Sequence, residues 1–291
     1  TGATLAGADL TNATIVSVTL TGANLTGTNL ASSNLANSNL SSANLTGTDL
    51  TAATATSVNL TSADLTDANL TDADLTNATI SSATLVRTNL TGADLSSVTG
   101  TSATLTSVSA AGSSLAFANL NGSTLLHGSF AGANILMAHF DTATITNTDF
   151  TDATGSYTTW TSATLSSPNF TGTDLTGANF TSATLTTATA TGANLTNANL
   201  KSTTLTGLSA IGASLDGANL AHTNATGAIL NNASMVGVTG RYAILADATL
   251  YSADLSNASL VWSNFDNANA AGAKLTGASI TDSSFNRTKF H

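Results

Sequence analysis

The chain has 291 residues, of which only 8% are charged, and its formal net charge is −10. Its six Lys and Arg residues are too few to neutralise a nucleic-acid backbone, so direct binding to DNA or RNA is disfavoured. The chain has no Cys, which excludes disulfides and thiol chemistry, and no apolar run approaches the roughly 18 residues of a membrane-spanning helix.

A five-residue repeat runs without interruption from Leu5 to Phe290. At 49 of the 58 multiples of five the residue is Leu, Ile, Phe, Met or Trp, and at the other nine it is Ala or Gly. The residue two positions earlier is almost always small, with Pro168 and Leu208 as exceptions. Residues two apart point to the same side of an extended backbone, whereas a five-residue repeat would spread around a whole helix. Each unit is therefore predicted to be a short extended segment with two inward residues and a bend, and the whole to be a solenoid.

Several units resemble the A-(D/N)-L-x-x consensus of pentapeptide-repeat proteins. Residues 23–27 read Ala-Asn-Leu-Thr-Gly, residues 63–67 read Ala-Asp-Leu-Thr-Asp, and residues 193–197 read Ala-Asn-Leu-Thr-Asn. The resemblance covers the whole chain and implies an all-β fold, the right-handed quadrilateral β-helix with twenty residues per coil. It implies about 14.5 coils, and an inter-strand spacing of about 4.8 Å per coil would make a rod roughly 70 Å long.

The repeat predicts one domain, a single uninterrupted solenoid over residues 1–291 with no recognisable terminal caps. Pro168 lacks a backbone N–H, so it is expected to remove a hydrogen bond between coils. The uncapped register predicts end-to-end contacts between copies, in which Leu5 and Leu10 would meet Phe285 and Phe290. Such head-to-tail contacts do not close and so produce a filament. A fragment of a longer chain would show the same pattern.

Large aromatic residues occupy inward positions at ten-residue intervals in the middle of the chain. With twenty residues per coil they fall into two opposite columns, which predicts an aromatic core segment between ladders of Leu. The six residues are Phe130, Phe140, Phe150, Trp160, Phe170 and Phe180.

Two groups of large residues fall at outward positions and break the small, polar pattern. Each group aligns on consecutive coils, which suggests a lateral contact with another protein, although stacking within the coil would give the same pattern. The first group is Phe117, Met137 and Tyr157 with Leu136 beside Met137, and the second is His222, Tyr242 and Trp262 with Arg241 and Val261 adjacent.

No catalytic, cofactor-binding or metal-binding constellation is evident. The four His residues fall in different columns, so simple stacking makes no metal site from them. Asp74 and Asp94 would stack on adjacent coils, but a convex surface does not bring together the six to eight oxygen ligands of calcium. The Asp residues are therefore expected to form a solvated acidic patch. The chain as a whole is predicted to be non-enzymatic.

The function predicted from these patterns is a structural rod that assembles end to end, outside the cell or on its surface. Its partners would be its own copies and other proteins, with no membrane insertion. A DNA-mimicking protein that binds gyrase is the first alternative, although 16 Asp residues are few for a rod of this length. An ice-binding protein with a Thr-rich face, including Thr104/Thr106 and Thr184/Thr186, is the second.

Overall fold

The structure, a computed structural model, describes residues 2–291. It divides into two compact units, Thr1–Thr144 and Ile145–His291. Within each unit parallel bridges join residues twenty apart, as in Thr4 with Asn24 and Thr184 with Thr204. Bridges start at every fifth residue, so four of them complete a coil of twenty residues. The predicted all-β solenoid of stacked coils is therefore confirmed, while one uninterrupted solenoid over 1–291 stays a prediction.

Six short strands stand out from these single bridges in the described chain, and all six begin with Thr. In unit 1, β1 pairs with β2 and β2 with β3 in parallel, and in unit 2 β5 pairs with β6. No helix occurs in residues 2–291, and so no helix there could span a membrane. The strands are β1 (Thr84–Val86), β2 (Thr104–Thr106), β3 (Thr124–Leu126), β4 (Thr144–Thr146), β5 (Thr164–Ser166) and β6 (Thr184–Thr186).

Asn or Asp at the bridging position favours a turn directly after it. The Asn24 Oδ1 accepts a hydrogen bond from the Thr26 N–H at 3.1 Å, and the Asp64 Oδ1 accepts one from the Thr66 N–H at 3.0 Å. Such Asx turns draw the N–H toward the side chain, away from the next coil. All six strands begin with Thr, which makes no Asx turn, but Thr alone does not extend a strand, since Thr79 and Thr99 also bridge coils and are followed by turns.

Most corners of a coil have their own hydrogen bond and a left-handed residue. The Ala23 N–H donates to the Leu20 carbonyl at 2.9 Å across the corner, while the Leu25 N–H donates to the Asn44 carbonyl of the next coil at 2.7 Å. The corner residue has a positive φ, and Gly, Ser, Asn and Asp fill most of these positions. These are the residues that tolerate or favour this conformation in turns.

The expectation that Pro168 removes a hydrogen bond between coils was wrong. In other columns the equivalent N–H closes the corner, as the Ala163 N–H does by donating to the Trp160 carbonyl. In the column of Pro168, which follows the strands, the N–H groups of Val108 and Ala188 donate no backbone hydrogen bond in the described chain. The Pro168 carbonyl still accepts from the Thr189 N–H at 3.0 Å. The ring therefore stands where these two residues of its column leave the N–H without a backbone acceptor.

The core is a stack of aligned apolar side chains in each unit. The six predicted aromatic residues are at most 1% exposed. In unit 2, Phe150 stacks on Phe170 with ring centroids 5.3 Å apart, and Trp160 stacks on Phe180 at 5.6 Å. Phe150 and Trp160 meet edge to face at 5.6 Å. Within unit 2 the rings therefore form two stacked columns with an edge-to-face contact between them.

Most buried polar residues in the small inward column are hydrogen-bonded, with the Ser123 hydroxyl as an exception. The hydroxyls of Thr48 and Thr203 donate to the carbonyls of Leu25 and Phe180, 23 residues earlier, both at 2.8 Å. The Trp160 indole N–H donates to the Thr158 hydroxyl at 2.8 Å. A hydroxyl is thus tolerated in this column because a backbone carbonyl or an indole faces it.

Candidate interaction surface

Bulky side chains occupy some left-handed corners, where Gly, Ser, Asn and Asp otherwise prevail. For both predicted outward groups φ lies between 52° and 62°. Side chains larger than Asn rarely adopt this conformation, which costs about 1–3 kcal/mol at each residue. A column of such residues is therefore a candidate for a function outside the fold. The six residues are Phe117, Met137, Tyr157, His222, Tyr242 and Trp262.

The first outward group is exposed, but at least one member packs on its own chain. In unit 1, Phe117 is 53% and Met137 41% exposed, and Leu136 is half-buried. In unit 2, Tyr157 is 57% exposed, yet its ring lies over the corner of Gly177. A Cβ at residue 177 would come within 2.6 Å of the Tyr157 Cε1. Stacking along the coil therefore explains part of this group.

The second outward group forms a continuous stack in unit 2, called the aromatic column here: His222, Tyr242 and Trp262. The ring centroids of His222 and Tyr242 are 5.1 Å apart, and those of Tyr242 and Trp262 are 5.2 Å apart. Tyr242 is 43% and Trp262 41% exposed. Three stacked rings thus present their edges and part of their faces to solvent.

Arg241 adds a cation to the aromatic column. Its guanidinium carbon lies 3.9 Å from the centroid of the Trp262 ring and 5.0 Å from that of Tyr242. Its Nη2 also donates to the Tyr242 hydroxyl at 3.4 Å. Ion pairs in the described chain include Arg87 with Asp67 and Lys274 with Asp254. Arg241 is therefore held over the rings with no carboxylate beside it in the described chain.

The residues predicted for end-to-end contacts are partly accessible. Leu5, Leu10 and Phe285 are half-buried, and Phe290 is 41% exposed. Phe285 stacks on Phe265 with centroids 5.0 Å apart and contacts Phe290 at 5.8 Å. These residues therefore retain apolar surface that a further coil could cover.

At least eight of the 16 Asp residues accept a hydrogen bond from the N–H two residues later and so stabilise turns. Asp74 and Asp94 form a bridge between coils, as predicted, but the Asp74 Oδ1 accepts from the Thr76 N–H at 2.9 Å and from its hydroxyl at 2.6 Å. Asp67 makes a two-point ion pair with Arg87, with oxygen–nitrogen distances of 2.6 and 2.7 Å. In residues 2–291, no group of three or more His, Cys, Asp or Glu residues could hold a metal ion.

Two small cavities lie inside the coils, one in each unit. Each has a volume of about 10 Å³, roughly one water molecule's space, and apolar side chains alone line it. They lie where Ala190 and Ala55 replace the usual large residue. Neither cavity offers a polar group or the several hundred Å³ of a typical ligand site.

Asx turns were missed from the sequence, although an Asn or Asp followed two residues later by Thr was a readable sign of them. The twenty-residue alignment placed Arg241 next to the second outward group. Its stacking on Trp262 was not predicted, because the direction of a long side chain depends on the neighbouring coil.

The sequence matches the model of one protein family. The family model described as pentapeptide repeats matches residues 1–31, 20–54, 33–72, 59–96, 161–197, 169–207, 207–239, 218–257, 243–282 and 253–291. Together these matches cover more than half of the chain. No curated protein sequence matches it.

Several solved structures are similar to parts of the chain. HetL, a pentapeptide repeat protein involved in heterocyst differentiation regulation in the cyanobacterium Nostoc sp. strain PCC 7120, is 26% identical over 95% of this chain and 86% of its own, with a TM-score of 0.29. QnrB1 in a trypsin-treated form, a plasmid-mediated fluoroquinolone resistance protein, is 15% identical over 69% and 86%, with a TM-score of 0.33. A pentapeptide repeat protein of the Arabidopsis thaliana thylakoid lumen is 30% identical over 34% and 61%, with a TM-score of 0.18.

Proposed function

The chain belongs to the pentapeptide-repeat family, and from this we propose that it is a non-enzymatic structural protein that works through contacts with other protein surfaces. The contacts include lateral ones through the aromatic column and end-to-end ones between its own copies. The proposal includes two expectations for the fold. The family resemblance implies a right-handed coil, and 291 residues at twenty per coil give about 14.5 coils.

The aromatic column with Arg241 is the observation that supports lateral contact. Trp, Tyr and Arg are the residues that most often carry the binding energy of protein interfaces. Here Tyr242 and Trp262 are held at left-handed corners, exposed, and stacked in a fixed geometry. Because the backbone conformation of these residues is costly, the fold alone does not account for their presence.

The charge of Arg241 indicates the kind of surface that the column would bind. A guanidinium stacked on an indole still has N–H groups in its plane that can donate to a carboxylate. The chain has 16 acidic residues and a net charge of −10, so a second copy offers many carboxylates. We therefore infer a partner surface with an Asp for Arg241 and a flat area for Tyr242 and Trp262.

Replacing Tyr242 and Trp262 with Ser tests this contact. The double variant should lose lateral association, measured by sedimentation velocity, and keep the β-sheet signal in circular dichroism. Tyr251→Ser is the matched control, because Tyr251 is 54% exposed and lies outside the aromatic column. Association that is unchanged in the double variant, or reduced equally in the control, would contradict the proposal.

End-to-end assembly is the second part of the proposal. Backbone hydrogen bonds and aligned apolar side chains join residues twenty apart throughout each unit, and a coil of another copy could continue both. The half-buried Leu5 and Leu10 and the exposed Phe290 supply the apolar surface. An identical copy matches the register because its coils have the same period.

Electron microscopy of the purified protein tests this assembly. The unmodified chain should form filaments, and Phe290→Lys should shorten or abolish them, since a charge would be buried at the junction. Tyr251→Lys, which adds the same charge at another exposed aromatic residue, should leave filaments intact. Monomers alone in the unmodified sample would refute end-to-end assembly.

A location outside the cell or at its surface completes the proposal. The support is composition: with 8% charged residues and no Cys, the chain relies on hydroxyl and amide groups for solubility. Immunodetection in fractionated cells tests it, and a purely cytoplasmic signal would contradict it.

A further inference from the structure

One face of unit 2 carries a regular array of hydroxyls, and we propose that it binds the ordered water of an ice surface. The array lies on β5, β6 and the coil that follows, and is called the threonine face here. Thr164 is in register with Thr184, Ser166 with Thr186, and Thr184 with Thr204. Its six members are Thr164, Ser166, Thr184, Thr186, Thr204 and Thr206.

The hydroxyls of the threonine face have no acceptor or donor within the described chain. In other columns the Thr two residues after an Asx donates its hydroxyl to that residue, as Thr171 does to Asn169 at 2.7 Å and Thr181 to Asn179 at 2.6 Å. On the threonine face a Thr stands in place of the Asx, so this acceptor is missing. Among residues 2–291, none of the six hydroxyls has an internal hydrogen-bond partner, which leaves each one available to water.

The backbone places five of these hydroxyls in a two-dimensional grid, while Thr206 lies in the turn after the last bridge. Neighbouring coils are separated by about 4.8 Å, and residues two apart along a strand by about 6.6 Å. Thr is branched at Cβ, so its side chain has few rotamers and its hydroxyl and methyl positions recur from coil to coil. Five of the six members are Thr, each with one hydroxyl and one methyl. Such a grid orders adjacent water at fixed intervals, as a lattice of ice requires.

Composition favours water over a protein as the occupant. Protein interfaces are anchored by Trp, Tyr and Arg, and the threonine face has none of them. Its six members are uncharged, and so are the left-handed corner residues on both sides, which are Ser or Thr with one Gly. These corner residues are Ser162, Ser167, Ser182, Thr187, Ser202 and Gly207. The exposed Lys201 lies beside Ser202, at one edge of the face. Within that edge the hydroxyls and methyls supply none of the aromatic or charged side chains that anchor a protein partner.

A similar but less complete array occurs in unit 1. There β1, β2 and β3 place Thr84, Thr104 and Thr124 in register, and the second row reads Val86, Thr106 and Leu126. Two of the three residues in that row lack a hydroxyl, so we expect this array to bind ice more weakly than the threonine face does.

Inhibition of ice recrystallisation by the full chain tests the proposal. The unmodified protein should keep ice crystals small during annealing, and Thr184→Lys/Thr204→Lys should lose this activity because two charged side chains would project from the grid. The control is Thr189→Lys/Thr239→Lys, which changes the charge equally on other columns of unit 2. Circular dichroism checks that both variants fold; if the first does not, the single change Thr206→Lys at an exposed residue replaces it.

The outcomes separate ice binding from self-association. Activity that is retained in the control and lost in the face variant supports the proposal. Absence of activity in the unmodified protein, or equal loss in both variants, overturns it. A dimer of the unmodified chain in light scattering that Thr184→Lys/Thr204→Lys converts to a monomer would also overturn it, because the face would then be covered by a second copy.

Discussion

At the scale of single residues, tolerance of a side chain depends on what lies one coil away. Gly240 replaces a large inward residue, and a Cβ there would lie 2.5 Å from the Leu260 Cδ2 and 3.4 Å from the Leu220 Cβ. Leu260 has therefore taken the volume that Gly240 leaves. The small residue is compensated by its neighbour, and the core stays filled.

Adding a methyl group at Gly240 should therefore overpack the core. Gly240→Ala should lower the free energy of unfolding by about 1–3 kcal/mol in denaturant titrations. In the double variant with Leu260→Ala, the clash is relieved, so the combined loss should be smaller than the sum of the two single losses. Strict additivity would contradict this packing.

Thr158 is expected to stabilise the fold because its hydroxyl accepts a hydrogen bond from Trp160, the largest buried side chain. Thr158→Val removes the acceptor of the Trp160 indole N–H and should cost about 1–3 kcal/mol in unfolding free energy, since the indole is fully buried. Thr173→Val is the control: it removes a hydroxyl that donates to the Phe150 carbonyl, which also accepts from the Ala153 N–H. An equal loss of unfolding free energy in both variants would contradict a particular contribution from the indole hydrogen bond.

At the scale of the coil, Asx turns and bridges between coils make repeated use of carboxylates. Hydrogen bonds from the Ser284 and Asn286 side chains hold the pKa of Asp266 below its usual value. Those from Ser256 do the same for the pKa of Asp254. Burial tends to raise the pKa of Asp174, but hydrogen bonds from Thr176 and Ser156 outweigh it and lower the pKa.

Stability should consequently depend on acid pH. A carboxyl with a lower pKa in the folded state stabilises the fold above its unfolded pKa of about 3.9, and this contribution is lost as pH falls through the folded value. The melting temperature should be level from pH 7 to about pH 5 and fall below about pH 4. Asp266→Asn should flatten that fall; a melting temperature that does not change down to pH 2 would contradict the expectation.

At the scale of the whole molecule, charge separates the proposed function from DNA mimicry. A duplex presents a charge about every 1.7 Å along its axis, and a mimic needs a comparably dense row of carboxylates. The 16 Asp residues are spread over bridging and corner positions, and several accept hydrogen bonds from their own turns. Their positions are those of turns and bridges within the coil, and they form no dense row of carboxylates.

We therefore expect no effect on DNA gyrase. Supercoiling of relaxed plasmid should proceed at the same rate with and without the protein, in assays at low and physiological salt. A heat-unfolded sample controls for contaminants. Inhibition that depends on the folded chain would establish the mimicry alternative in place of the structural function.

The sequence determined the fold class because the five-residue period leaves few structures open. Inward residues such as Leu25 and Phe170 could be assigned from position alone, since the period also aligned them on consecutive coils. The aromatic column of His222, Tyr242 and Trp262 followed from the same alignment. A repeat of this regularity converts sequence spacing directly into neighbours in space.

Only the tertiary structure decided the local contacts that depend on side-chain direction and backbone angle. It placed Pro168 in a column where Val108 and Ala188 make no backbone bond through their N–H, placed Arg241 over Trp262, and left the hydroxyls of Thr184 and Thr204 without internal partners. Period and composition specify which residues are adjacent. They do not specify which hydrogen bond an N–H makes or where a long side chain turns, because those depend on the neighbouring coil once it is in place.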